Sequence, residues 1–168
     1  MNPKHCDAVR ELSEAYLKRS MPYECKPIFN RAVECDADTW QPWRGYLYFY
    51  LYIDYQNSIA DFNASYTLTP DDIDSPQGQT VDYWRGHAYL GAKDYKKRIF
   101  YYQKYIVRVT KEWGGDWVEP DAFLNLAILE YGKEAGMHLH LWNPSARKKG
   151  LGLIFLNWCV SYYFNILN

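Results

Sequence analysis

The side chains with the most evident chemical capacity are a histidine pair and a cluster of acids. His138 and His140 flank Leu139. On a helix, alternate residues point in different directions, and no Cys or carboxylate stands at ligand spacing to complete a metal site. Asp71, Asp72 and Asp74 could offer oxygens to calcium, but the residues after them do not continue an EF-hand loop. They read as a solvated acidic loop. Gly150-Leu151-Gly152 lacks the remaining glycine and the preceding strand of a dinucleotide site. Neither a Gly-x-Ser-x-Gly elbow nor a phosphate-binding loop occurs. Ser, His and Asp are present without an arrangement, so no enzymatic activity, metal or cofactor is expected.

Contact chemistry is better represented. The chain holds 17 Tyr, 7 Trp and 7 Phe among 168 residues. Trp43, Tyr46 and Tyr50 lie three and four apart, on one stripe of a helix. Trp84, His87 and Gly91 repeat the stripe further on, with Tyr83 beside them. By the same spacing Glu11, Glu14 and Lys18 form an earlier stripe. Residues 40–55 contain eight aromatics in sixteen positions. A helix apolar nearly all round is either buried on all sides or covered by a partner.

The elements that must position these side chains follow from internal repetition. Trp43-Arg44-Gly45 recurs as Trp84-Arg85-Gly86, and an Asp-Tyr pair follows each copy, at Asp54-Tyr55 and Asp94-Tyr95. Matched landmarks about 40 residues apart indicate one structural unit used repeatedly. Such a unit cannot bury a core alone and must stack on its neighbours. Apolar spacing makes each unit helix, tight turn, helix, with helices near 7–19, 23–35, 40–53, 55–68, 80–92 and 95–111. Thr39 is expected to cap the third of these helices, with Pro42 in its first turn. Ser13, Cys25 and Ala32, and likewise Gly45, Ser58 and Ser65, are small residues expected where two antiparallel helices touch.

Three stretches carry a family resemblance. Residues 94–104, Asp-Tyr-Lys-Lys-Arg-Ile-Phe-Tyr-Tyr-Gln-Lys, resemble the second helix of a tetratricopeptide repeat. Residues 84–91, Trp-Arg-Gly-His-Ala-Tyr-Leu-Gly, resemble its first helix, and Tyr55 to Pro70 is similar to the second and ends on the expected proline. The resemblance implies an all-α, right-handed superhelical array of antiparallel helix pairs. It places repeats near 6–38, 39–72, 79–112 and a degenerate fourth at 120–143, with an apolar C-terminal helix at 146–168, in one domain. First helices line the concave groove in that family. The resemblance therefore implies a partner-binding face of Trp43, Tyr46, Tyr50, Tyr83, Trp84 and His87, flanked by Glu11 and Glu14. The expected ligand is a protein or peptide segment carrying Lys or Arg beside apolar side chains. Complete burial of these aromatics between neighbouring repeats is the competing account.

A net charge of −1 gives nucleic acid no electrostatic footprint. The N-terminus shows no apolar signal core. Cys6, Cys25, Cys35 and Cys159 have neither metal nor disulfide-framework spacing, so reduced thiols and a cytoplasmic setting are expected. Residues 150–168 contain no charged side chain, and Arg147-Lys148-Lys149 precede them. That length is just enough to cross a bilayer, but Asn157, Ser161, Asn165 and Asn168 interrupt its apolar character. A solvent-shielding or self-associating terminal helix is expected ahead of a membrane tether. The alternative function is accordingly a membrane-tethered or self-assembling scaffold.

Overall fold

The computed structural model describes residues 4–69 and 76–130, which are helical with short connections and without strands. His138, His140, the acids at 71–74, the second helix of the fourth repeat and residues 150–168 lie outside the described residues. Two compact units divide the chain, Met1–Arg98 and Ile99–Asn168.

The first unit contains α1 (Lys4–Lys18), α2 (Pro22–Cys35), α3 (Ala37–Tyr50), α4 (Tyr55–Leu68) and α5 (Val81–Gly91). Each packs on the next, and α3 also touches α5. The expected helix boundaries agree with these to within three residues. The Asp-Tyr landmark has a local cause. Asp54 is the N-cap of α4 and its carboxylate accepts from the Asn57 backbone N–H at 3.2 Å. Asp94 receives the Lys97 N–H in the same way, at 3.2 Å. One otherwise unpaired donor is satisfied at each helix start.

Two local expectations for α3 are corrected. Asp36, not Thr39, caps it, and the Thr39 N–H is the donor, at 3.2 Å. The helix therefore begins earlier and carries Pro42 in its interior, fully buried.

The turn within each helix pair is also repeated. Ser20, Ile53 and Lys93 all adopt left-handed backbone, with φ of 58°, 53° and 61°. In the first and third turns the next N–H reaches back five residues, Met21 to the Tyr16 carbonyl and Asp94 to that of Tyr89, each at 3.0 Å. This closure satisfies carbonyls that the helix end leaves open.

Helix contact falls where side chains are small. Ser13, Cys25, Ala32 and Ser58 are 0 % exposed, and Ser65 1 %. Gly45 is buried, with the Phe62 ring lying where its Cβ would be. A core of Cys25, Phe29, Val33 and Leu47 forms at α2 and α3, with Tyr16, Leu17, Trp40, Trp43 and Tyr52 packed around it.

The cysteine expectation is overturned. Cys6 and Cys35 are disulfide-bonded, with Cα atoms 5.5 Å apart. Their sequence separation of 29 conceals the pairing. The antiparallel hairpin brings the first turn of α1 beside the end of α2. Cys25 is a free, buried thiol.

In the second unit, α6 (Tyr95–Trp113), whose first residues belong to the first unit, is followed by a 3-10 turn and α7 (Pro120–Glu130). Tyr102, Tyr105, Ile106, Val109, Val118, Ala122, Phe123 and Leu126 are buried there. The Tyr105 hydroxyl accepts the Glu119 N–H at 3.1 Å, so the buried phenol serves the chain just before α7. Among the described residues, no helix is long and apolar enough to cross a membrane.

Candidate functional site

The aromatic stripe of α3 meets that of α5. Tyr46 and Tyr50, one helical turn apart, stack with centroids 5.6 Å apart and planes 8° from parallel. Trp84 of α5 stands edge-on to Tyr46 at 4.7 Å. Phe49 joins the two helices, lying 5.8 Å from Trp84 and 5.8 Å from His87. Tyr83 closes the group, 4.5 Å from the His87 ring and 5.0 Å from Trp84. Five of the six expected aromatic-face residues are thus in one cluster. Phe49 is the ring that the stripe reading missed, although it stands three residues after Tyr46 and on the same side of the helix.

Exposure grades across the cluster. Tyr83 is buried, Tyr46, Trp84 and His87 are half-buried, and Tyr50 is 62 % exposed. Burial, with a smaller contribution from Tyr50, holds the Tyr46 phenol above its ordinary pKa. Trp84 is fixed in place by its indole N–H, which donates to the Pro76 carbonyl at 2.7 Å. The result is a shelf whose inner rings are anchored and whose outer ring faces solvent. It can offer ring faces and edges to apolar or planar groups.

Trp43 is placed elsewhere. It packs on the Cys25, Phe29, Val33 and Leu47 core, one turn before Tyr46 on the stripe but against the preceding hairpin.

Glu11 and Glu14 stand on α1, which packs on α2, and are internally neutralised. Arg10 pairs with both Glu11 and Glu14, and Lys18 reaches Glu14 at 2.8 Å. The Lys18 hydrogen bond lowers the Glu14 pKa from its ordinary value, with Arg10 adding to the effect, and the same bond raises that of Lys18. These i,i+4 pairs were legible in the sequence. Two cations thus offset two anions, and this face of α1 carries little net charge.

Behind the shelf, the repeated arginine acts as a clasp. Arg44 donates two bonds to Asp61, each at 2.7 Å, and a third to the Asn30 side-chain amide oxygen, Oδ1, at 3.2 Å. It thereby ties α3 to α4 and to α2. Arg85 does the corresponding job toward the preceding hairpin by donating to Asn63, and it also pairs with Asp82 at 3.4 Å. The Trp-Arg-Gly landmark therefore combines an aromatic for the core or the shelf, a clasp, and, at Gly45, space for a neighbouring ring.

Among the described residues, no group of three or more His, Cys, Asp or Glu side chains could hold a metal ion. No protein-family model, curated protein or solved structure matches the chain.

Proposed function

We propose that this chain is a non-catalytic, tetratricopeptide-like binding module that holds a peptide or partner protein against the α3–α5 aromatic shelf. The supporting observation is Tyr50, 62 % exposed and stacked on the half-buried Tyr46, which in turn meets the anchored Trp84. Aromatic side chains supply large contact area at low entropy cost and recur as binding hot spots. The neutralised acids of α1 revise the expected ligand. It presents apolar and planar side chains to the shelf, without the dependence on Lys or Arg that unpaired acids would impose.

The Cys6–Cys35 bond supports an oxidising compartment in place of the expected cytoplasmic one. The scaffold alternative rests on residues 150–168, outside the described residues.

The test compares the wild-type chain with the Tyr46→Ala, Tyr50→Ala double variant, both immobilised and exposed to native lysate. Proteins retained by the wild type should be lost by the variant while the helical circular-dichroism signal persists. Retention of the same proteins at the same occupancy would move the binding surface away from the shelf.

A further inference from the structure

The amino-terminal half of α1 buries few of its side chains. Between His5 and Leu12 only Cys6 is buried, and Asp7, Ala8, Glu11 and Leu12 are exposed. Leu12, the largest aliphatic side chain of the segment, is 52 % exposed. The second half of α1 differs, because Tyr16 and Leu17 pack on the core of the hairpin. The segment's ties to the rest of the unit are the Cys6–Cys35 bond, the partly buried Val9, the Arg10 guanidinium over the Trp40 ring at 4.9 Å, and Ser13. The disulfide sits at the open end of the hairpin, opposite the Arg19–Met21 connection, so the hairpin is closed covalently at both ends.

At the inner end of this segment lies a second thiol, in the core shared by α2 and α3. Cys25 is 0 % exposed and free. Ser13, also 0 % exposed, donates to the Arg10 carbonyl at 2.6 Å, and the Tyr52 hydroxyl donates to that of Pro22 at 2.6 Å, with both hydroxyls close to the thiol. Desolvation raises the Cys25 pKa above its ordinary value, which keeps it protonated and unreactive while covered. Ser13 stands at the junction between the weakly held and the well-packed halves of α1. Lifting the first half as far as Ser13 opens Cys25 on the side that Ser13 covers, while Tyr16, Leu17 and Tyr52 stay packed on the core that contains it.

We propose that the Cys6–Cys35 bond is a redox-operated latch whose reduction releases residues 4–13 of α1 from α2 and uncovers the Cys25 thiol. The reductant is a dithiol. Its thiolate attacks Cys35 Sγ, because Cys35 is the more exposed residue of the pair and Cys6 is only 4 % exposed. The S–S bond breaks and Cys6 leaves as a thiolate, which takes a proton from water. The second thiol of the reductant, deprotonated, then displaces Cys35 from the mixed disulfide. Two electrons pass from the dithiol to the cystine, and the reductant ends as a disulfide. The released segment opens locally, because little apolar surface holds it, and the remaining helices keep their own cores.

The experiment uses the full chain, oxidised and then fully reduced with dithiothreitol. Hydrogen–deuterium exchange is read by peptide, and Cys25 is labelled with N-ethylmaleimide and quantified in its own peptide. Reduction should abolish exchange protection over residues 4–13 and leave residues 37–68 protected. Cys25 labelling should accelerate by up to roughly a few hundred-fold, the order set by losing the closure of a loop of this size. In the Cys6→Ala, Cys35→Ala variant, Cys25 should label fast with or without reductant. If that variant fails to fold, the oxidised and reduced wild type decide the matter alone. Unchanged protection after complete reduction overturns the latch. Simultaneous loss of protection across residues 4–98 overturns it too, since the bond would then be a staple for the whole unit.

Discussion

Replacing Gly45 with alanine sets two effects of opposite sign against each other. Gly45 lies inside α3, where helix propensity alone favours alanine by about 1 kcal/mol. A Cβ at this position would stand 2.8 Å from Cδ1 and Cε1 of Phe62 and 3.3 Å from Cβ of Asp61. Neither neighbour yields easily. Phe62 is 0 % exposed, and Asp61 is gripped by Arg44 and Gln41. Overpacking of this kind costs roughly 1–3 kcal/mol. The clash therefore cancels or exceeds the propensity gain, and the expected net loss is about 1 kcal/mol. For a chain of this length that lowers Tm by roughly 2–4 °C. Thermal melts followed by circular dichroism measure it. The same substitution in a Phe62→Leu background should become neutral or stabilising, with a coupling of about 0.5–3 kcal/mol between the two sites. A rise in Tm for Gly45→Ala alone would refute the reasoning, because it would show that α3 and α4 do not approach closely here.

Two other substitutions probe the clasp and the turn. Asp61→Ala leaves the Arg44 guanidinium, 21 % exposed, without its bidentate partner, and should cost about 3 kcal/mol in urea unfolding. The paired replacement Arg44→Met, Asp61→Leu should recover most of that loss, and a double variant no better than the single one would show that Asn30 and Gln41 matter more. Ile53 holds a β-branched side chain at φ 53° while 59 % exposed, a conformation that costs an L-residue roughly 1–2 kcal/mol. Ile53→Asn should therefore raise the urea midpoint by the equivalent of about 0.5–1 kcal/mol, and a lowered midpoint would reveal a contact of Ile53 that outweighs the strain.

Much of the helical organisation was legible because its causes are local. Apolar spacing fixed α1 to α6 to within three residues, since one face of each helix must be covered. The Asp-Tyr pairs marked helix starts because an Asp one residue ahead of a helix satisfies a backbone donor within three residues. Small residues at 13, 25, 32, 45, 58 and 65 marked helix contacts because only they allow close approach. The cap of α3 was misplaced by three residues because Asp36 and Thr39 offer similar oxygens, and only the backbone at the helix start decides between them.

What the sequence by itself determined is therefore the set of helices, their turns and the stripes they carry. Tertiary structure decided where each stripe points. Trp43, Tyr46 and Tyr50 share a stripe by spacing, yet Trp43 enters the preceding core and the other two form the shelf. The rotation of α3 about its own axis is set by packing against α2, α4 and α5 together, and no local rule fixes it. The Arg44–Asp61 clasp and the Cys6–Cys35 bond, spanning 17 and 29 residues, depend in the same way on how far each helix slides along its partner. A slip of one turn, about 5.4 Å, would leave every helix intact and break both.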